Sequence, residues 1–146
     1  MRLLSILLLL SVLILSCKDK PLEKPFPNLE FDKVIAYKMK GMDGKVIENN
    51  KLSNNVEEEN ETLETIQIQK LLSIVNVKST YGGVTAKCFE PHLGFVFYGN
   101  NDEIVAHTTI CLACNWMSST PSIEEFGFSK KGAKRISEFA KEIFNE

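Results

Sequence analysis

The chain has 146 residues, of which 44% are hydrophobic and 25% are charged, and its formal net charge is −2. This length predicts one small folded domain, and a mildly acidic chain without a basic stripe argues against nucleic acid as a partner. Its 4 cysteines and 2 histidines are the residues among which a chemical site is sought first.

The first predicted element is a short apolar segment. Arg2 is followed by an apolar run, Leu3 to Leu15, which is broken only by Ser5 and Ser11. At roughly 1.5 Å per helical residue the run covers about 20 Å, which is less than the ~30 Å hydrocarbon core of a bilayer. The pattern therefore predicts a secretory signal peptide over residues 1–16 rather than a membrane span.

The residues that follow, Ile14 to Cys17, resemble the bacterial lipobox, in which a small residue precedes a cysteine. The resemblance implies that the Cys17 thiol is lipidated, that the signal peptide is cut just before it, and that the new amine is acylated. A protein anchored in this way belongs to the bacterial cell envelope. Lys18 stands where an inner-membrane retention signal has aspartate, so the outer membrane is favoured. The alternative is an ordinary signal peptide in which Cys17 occurs by chance.

Residues 17–28 are predicted to be a lipidated cysteine followed by a solvated, extended tether, because Pro21, Pro25 and Pro27 prevent a regular helix. Twelve such residues at about 3.1 Å each would hold a domain up to roughly 37 Å from the bilayer. Removal of residues 1–16 takes away Arg2 and no acid, which leaves 16 basic and 19 acidic side chains and a net charge of −3.

The globular domain is predicted over residues 29–146 and begins with strand patterns. Ile35, Tyr37 and Met39 alternate within Phe31 to Met39, a turn follows at residues 41–44, and Lys45 to Glu48 is the predicted returning strand. The polar stretch Asn49 to Asn60 is predicted to be irregular.

A helix is predicted next, from apolar residues near helical spacing that begin at Leu63 and end at Asn76 as the C-terminal cap. Strands are then predicted at Val84 to Phe89, Gly94 to Tyr98 and Glu103 to Cys111.

The last element has the clearest pattern, with Ser129 as N-cap and an apolar stripe along the helix. The stripe consists of Ala133, Ile136, Phe139, Ala140, Ile143 and Phe144. Together the elements predict an α+β fold, in which antiparallel β-hairpins form one sheet and two helices pack on it.

Three cysteines besides Cys17 remain in the mature chain. The pair Cys88 and His92, together with the pair Cys111 and Cys114, has the ligand types and the local spacings of a tetrahedral zinc site. Zinc knuckles usually place glycine after the second cysteine of such a pair, and Asn115 stands there instead. Zinc is therefore one interpretation of the cluster among several.

A second interpretation is an oxidised pair of Cys111 and Cys114, either structural or redox-active, outside the reducing cytoplasm. No helix is predicted after Cys114, so a redox pair would lack the dipole that activates thioredoxin-like thiols. A third interpretation is that all three cysteines are small apolar core residues. Trp116, Tyr98 and Phe97 are candidates to line a ligand groove, although aromatic residues in strands are more often core.

Several of these segments resemble a group of small bacterial proteins without assigned activity, many of which carry lipoprotein signals. The pattern resembles C-F-x-P, then a basic residue and H-G, followed by I-C-F-x-C and a closing helix, over Leu71 to Phe144. Cys88, Cys111 and Cys114 match it, and Leu93 stands where a histidine is expected. The resemblance implies a shared cysteine-centred site and names no activity.

The function expected from these observations is that of a membrane-anchored bacterial lipoprotein, attached through Cys17, with a non-enzymatic binding or structural role. No nucleophile elbow, phosphate loop or calcium loop is found that would favour an enzyme. The alternative is an extracytoplasmic thiol–disulfide redox protein that uses Cys111 and Cys114. A third hypothesis, an inhibitor or immunity-type partner protein, fits the small size and the anchor alone.

Overall fold

A computed structural model describes residues 19–125 and 127–145. The predicted signal peptide, residues 1–16, and the predicted lipidation site Cys17 lie outside this described part. Within the described residues, no helix combines the length and apolar character that crossing a bilayer requires.

The described chain forms an α+β fold, as predicted from the sequence. Its elements are β1 Lys33–Met39, β2 Ile47–Glu48, β3 Lys51–Leu52, β4 Val56–Thr62, α1 Thr65–Val75, β5 Leu93–Tyr98, β6 Ile104–Cys111, β7 Trp116–Thr120 and α2 Lys130–Ile143, with a 3-10 turn at Lys78–Thr80. One antiparallel sheet has the strand order β4-β1-β5-β6-β7, and β2 pairs with β3 in a separate two-stranded sheet.

The main core lies between the sheet and the two helices. Phe95 and Phe97 of β5 are fully buried and pack in one cluster with Leu71 of α1 and with Ile136 and Phe139 of α2. The ring centroids of Phe95 and Phe139 are 6.0 Å apart. Every residue of β5 is buried, which explains why this strand appears in the sequence as an apolar run rather than an alternating pattern.

The other face of the sheet is covered by the segment that contains β2 and β3. Val46 packs with Tyr37, Met39 and Val96 in a second cluster, and its backbone N–H donates a 2.9 Å hydrogen bond to the hydroxyl of Thr109. The sequence predicts that Lys45 to Glu48 returns beside β1. In the structure Ile47–Glu48 pairs with Lys51–Leu52 instead, so this short hairpin lies over the sheet and does not extend it.

The strand that does pair with the outer side of β1 is β4, in a stretch predicted to be irregular. All its residues after Val56 are exposed, so the strand carries no apolar alternation from which it could be recognised. Its glutamates, Glu57, Glu58, Glu59 and Glu61, place negative charge along an edge of the sheet, and such charge discourages pairing with another chain.

One end of each helix is capped by the residue that the sequence predicts. Asn76 caps the C-terminal end of α1, its backbone N–H donating to the carbonyl of Leu72. Ser129 caps the N-terminal end of α2 by accepting a 3.0 Å hydrogen bond from the backbone N–H of Gly132. These local signals are therefore confirmed.

Residues 19–28 pack on the domain, which differs from the solvated tether predicted from their prolines. The backbone N–H of Leu22 donates a 2.8 Å hydrogen bond to the carbonyl of Asn76. The Asn76 side chain also accepts from the N–H of Phe26 at 2.6 Å and donates to its carbonyl at 2.7 Å. Phe26 is only 4% exposed and meets the Phe97 ring edge-on at 5.3 Å between centroids.

Candidate functional site

A disulfide joins Cys88 to Cys114, with their α-carbons 5.7 Å apart and a sequence separation of 26. Cys111 is a free, fully buried thiol. Its sulfur accepts a hydrogen bond from the backbone N–H of Cys114 at 3.2 Å. The disulfide considered from sequence spacing, Cys111 with Cys114, is not the pairing found in the structure.

The four predicted zinc ligands are not arranged as a tetrahedral site in this state. Cys88 and Cys114 are bonded to each other, whereas zinc is bound by thiolates, so a site built on them would require reduction of the disulfide. His92 is exposed and lines a separate cleft of about 330 Å³. Within residues 19–125 and 127–145, no group of three or more His, Cys, Asp and Glu side chains is placed to hold a metal ion.

The disulfide fastens an irregular segment, residues 82–92, to the turn between β6 and β7. A strand is predicted at Val84 to Phe89, but the structure has no regular element there. A 2.9 Å hydrogen bond from the N–H of Ala86 to the carbonyl of Cys114 lies beside the disulfide. The segment is thus held by tertiary contacts rather than by pairing in the sheet.

Asn115 forms the second attachment of this segment. Its backbone has φ = 54°, in the left-handed region that asparagine tolerates better than most residues. Its side-chain amide donates to the carbonyl of Val84 at 3.0 Å and to that of Phe128 at 2.7 Å. Glycine could adopt this turn but has no amide to bridge two chain segments, and this accounts physically for asparagine at the position.

The turn leads into β7, a strand that the sequence pattern does not predict. Its residues pair antiparallel with β6 from His107–Thr120 to Cys111–Trp116. In the described part of the chain, the outer side of β7 makes a single isolated bridge, between Trp116 and Gly127. β7 is therefore the edge of the sheet opposite the acidic edge strand β4.

An open cleft of about 650 Å³ runs along this edge. It is lined by Asp43, Lys45, Phe89, Trp116, Met117, Ser118, Ser119, Ser122 and Ile123. The lining combines apolar and aromatic surface with hydroxyl groups and one charge of each sign. This volume falls within the range of about 300–1,000 Å³ that is usual for ligand pockets.

The aromatic end of the cleft is built from Phe89 and Trp116, whose ring centroids are 5.4 Å apart with an interplanar angle of 65°. Trp116 is one of the three aromatic residues considered as candidates to line a groove, and it does line the cleft. The other two do not: Phe97 is fully buried in the main core. Tyr98 is buried with its hydroxyl 3.0 Å from that of Tyr37.

His107 lies on β6, the strand that pairs with β7, and Lys45 of the cleft is close enough to act on it electrostatically. His107 is 8% exposed, and its Nδ1 atom has no hydrogen-bond partner among the described residues. Burial lowers the pKa of His107, and the positive charge of Lys45 lowers it further. The imidazole is therefore neutral at neutral pH. Its pKa depends in part on the charge of Lys45, which lines the cleft.

Sequence reasoning found Trp116 and the cysteines but missed Asp43, Lys45, Phe89 and the serines as one site. They converge only because the β2–β3 segment folds over the sheet and the disulfide holds residues 82–92 in place. Comparison of the chain with protein-family models, with curated proteins and with solved structures finds no match.

Proposed function

We propose that the protein is a lipid-anchored binding protein of the bacterial cell envelope, and that the cleft beside β7 receives an extended peptide segment of a partner protein. The observation that carries the proposal is an open cleft of about 650 Å³ along a sheet edge, with Trp116 and Phe89 at one end. An extended peptide can add to such an edge through main-chain hydrogen bonds and place alternate side chains in adjoining pockets.

The lining of the cleft fits this kind of ligand. Met117 and Ile123 line the cleft as largely buried apolar side chains, and Ser118 and Ser119 bring hydroxyl groups. Lys45, together with Asp43, supplies opposite charges that can fix the direction of a bound peptide. The disulfide beside the aromatic pair limits the motion of one wall, which lowers the entropic cost of binding.

The envelope location is supported by two independent features. The lipobox-like sequence that ends at Cys17 gives a route to the membrane surface. The bond between Cys88 and Cys114 fits an oxidising compartment outside the cytoplasm, because disulfides persist there and are rare inside.

The peptide proposal is tested by photo-crosslinking in intact bacteria that make the full-length protein. A benzophenone amino acid at Ser118 should form an adduct with one defined segment of one envelope protein. The same probe at Lys51, which is exposed on the β2–β3 hairpin, serves as the control position. Equal adducts at both positions, or none at Ser118, would overturn the proposal.

A synthetic copy of the cross-linked segment then provides the binding measurement. Trp116 is the single tryptophan of the chain, so its fluorescence reports the aromatic end of the cleft directly. The segment should change that emission in a saturable way, and Phe89→Ala should weaken the binding. A segment that binds the Phe89→Ala variant as tightly as the wild type would place the contact elsewhere.

The second candidate function is thiol–disulfide exchange, which is favoured by the exposure of Cys88 and the burial of Cys114. A thiolate of a partner dithiol would attack the Cys88 sulfur, and Cys114 would leave as a thiolate. The second partner thiol would then release Cys88, so that the partner is oxidised to a disulfide while this chain is reduced to two thiols. Resistance of the native disulfide to a dithiol reagent would exclude this candidate.

A further inference from the structure

The start of the described chain is fixed to one end of α2. Asp19 accepts from the Lys131 ammonium group at 3.1 Å and lies 3.7 Å from the Arg135 guanidinium group. The hydrogen bond from Lys131, with the positive charges of Lys131 and Arg135, keeps the pKa of Asp19 below its usual value. Only Lys18 separates Asp19 from Cys17 in the sequence, so the backbone allows at most about 7 Å between the α-carbons of Asp19 and Cys17.

Basic side chains are concentrated around this point. We define the basic face as Lys20, Lys78, Lys130, Lys131, Lys134 and Arg135. The chain segments that carry them are in contact: the N–H of Lys78 donates to the carbonyl of Lys20 at 2.8 Å, and the N–H of Ser129 donates to the carbonyl of Thr80 at 2.8 Å. The carboxylates paired within this face are those of Asp19, Glu23 and Glu138.

The net charge of the basic face has the opposite sign to that of the domain as a whole. Its six basic side chains and the three carboxylates paired with them sum to +3. The groove that Lys78 borders adds Lys24, Glu124 and Glu125, which lowers the sum to +2, whereas residues 17–146 as a whole carry −3. Lys130 and Lys131 also lie in the first turn of α2, which contains no acidic residue. Cations at this positive end of the helix dipole are unfavourable for the helix itself, and an opposing anionic surface reverses the sign of that interaction.

The acidic strand β4 lies near the opposite end of the same helix. Glu59 of β4 pairs with Lys38 at 2.9 Å, and the Lys38 ammonium group is 5.0 Å from the centroid of the Phe144 ring. Phe144 follows the last residue of α2, so the helical rise places it about 20 Å from Lys130. This distance exceeds the ~8 Å Debye length at physiological ionic strength.

We infer that the basic face rests on the anionic phospholipid headgroups of the bilayer that holds the anchor, with the N-terminal end of α2 towards the membrane and β4 away from it. This inference rests on the proposed lipid anchor at Cys17. The short covalent link brings the basic face to the surface, and charge complementarity selects that orientation over others. The cleft beside β7 and the cysteine cluster are not used for membrane contact.

The test measures lysine accessibility on the full-length lipidated protein. It is reconstituted into vesicles of phosphatidylcholine alone, or with phosphatidylglycerol as the minority component, and labelled with an amine-reactive reagent that does not cross membranes. Attraction to an anionic surface favours the position of a basic residue at that surface about fivefold over its position in solution. We therefore expect labelling of Lys130 and Lys134 to slow about fivefold on the anionic vesicles. Lys51 and Lys87 should label equally on both, and high salt should remove the difference.

A charge-reversed pair, Lys130→Glu with Lys134→Glu, should abolish the protection of Lys20 and Lys131 on anionic vesicles. The matched control, Lys51→Glu with Lys87→Glu, changes two exposed lysines outside the basic face and should retain the protection. Intact mass of the same sample reports whether the protein is acylated. An acylated protein with equal labelling on both vesicles overturns the orientation alone, whereas a protein without acyl chains overturns the anchor and the orientation together.

Discussion

Cys88 and Cys114, with α-carbons 5.7 Å apart, connect an irregular segment of the chain to the turn that begins β7. The bond closes a loop of 26 residues, which corresponds to a stabilisation of about 3.5 kcal/mol on the chain-entropy estimate. We expect the double variant Cys88→Ser with Cys114→Ser to lose a comparable free energy of unfolding, measured by urea denaturation without reductant.

Adding reductant supplies the control for this prediction. Reduction should lower the unfolding free energy of the wild type and leave that of the double variant unchanged, because the variant has no disulfide to lose. A wild-type protein that unfolds at the same urea concentration with and without reductant would contradict the pairing.

Phe26 tests whether residues 19–28 belong to the folded domain. Its ring is 4% exposed and packs on Phe97, so Phe26→Ala should lower the unfolding free energy by about 3 kcal/mol. The matched control is Leu29→Ala, which removes a side chain that is 50% exposed and should change stability by less than about 0.5 kcal/mol. Two variants of equal stability would show that the segment behaves as a free tether.

His107 should make the stability of the protein depend on pH. Its pKa is lowered in the folded state by burial and by Lys45, so the unfolded state binds a proton more readily. The free energy of unfolding should therefore be greatest above about pH 6.5 and fall as the pH drops through that value. Urea denaturation of His107→Gln should show a smaller dependence of the unfolding free energy on pH below pH 6.5 than that of the wild type.

Lys45 provides an independent check on the same histidine. Lys45→Met removes the positive charge that lowers the pKa of His107, so the pH dependence should weaken without being lost, since burial remains the larger cause. Titration of the His107 imidazole by NMR would measure the change directly. A pKa of His107 that is unaffected by Lys45→Met would contradict the electrostatic link between the cleft and β6.

A substitution at Lys130 tests how this residue affects the stability of α2, independently of the proposed contact with the membrane. Lys130→Glu places a carboxylate in the first turn of the helix, where the macrodipole favours it, and should raise the unfolding free energy by about 0.3–1 kcal/mol. Lys51→Glu, on the β2–β3 hairpin, should change it by less than about 0.5 kcal/mol. A decrease in stability on Lys130→Glu would mean that the lysine makes a stabilising contact in the fold.

The cysteine cluster predicts a dependence of metal binding on redox state. Protein purified without reductant should contain no stoichiometric zinc by elemental mass spectrometry, because Cys88 and Cys114 are not thiolates. Denaturation should expose one titratable thiol of the folded domain, that of Cys111. Stoichiometric zinc in the unreduced wild type, lost on Cys111→Ser, would instead support the four-ligand site with Cys88, His92 and Cys114.

Local signals account for the elements that the sequence predicts well. The apolar stripe of α2 and its Ser129 cap arise from residues within one or two helical turns, and β5 is recognisable as a short apolar run. By contrast, β4 is stabilised by its pairing with β1 and exposes nearly all of its side chains. Its sequence therefore contains no periodic signal, and its run of glutamates is typical of a solvated loop.

The site was less predictable because it depends on contacts between distant parts of the chain. Three cysteines allow three different single disulfides, and their spacing favours the local pair Cys111 with Cys114. The fold instead brings Cys88 to Cys114, while Cys111 points into a fully buried position. The cleft likewise joins Asp43, Phe89 and Ile123, which no local pattern could bring together.

The anchor at Cys17 is the claim on which the location at the membrane and the membrane orientation depend. Mass spectrometry of the N-terminal peptide of the mature protein tests it most directly. The account predicts that the chain begins at Cys17, with lipid on the thiol and an acyl chain on the new amine. An unacylated, soluble protein that still begins with Met1 would contradict it.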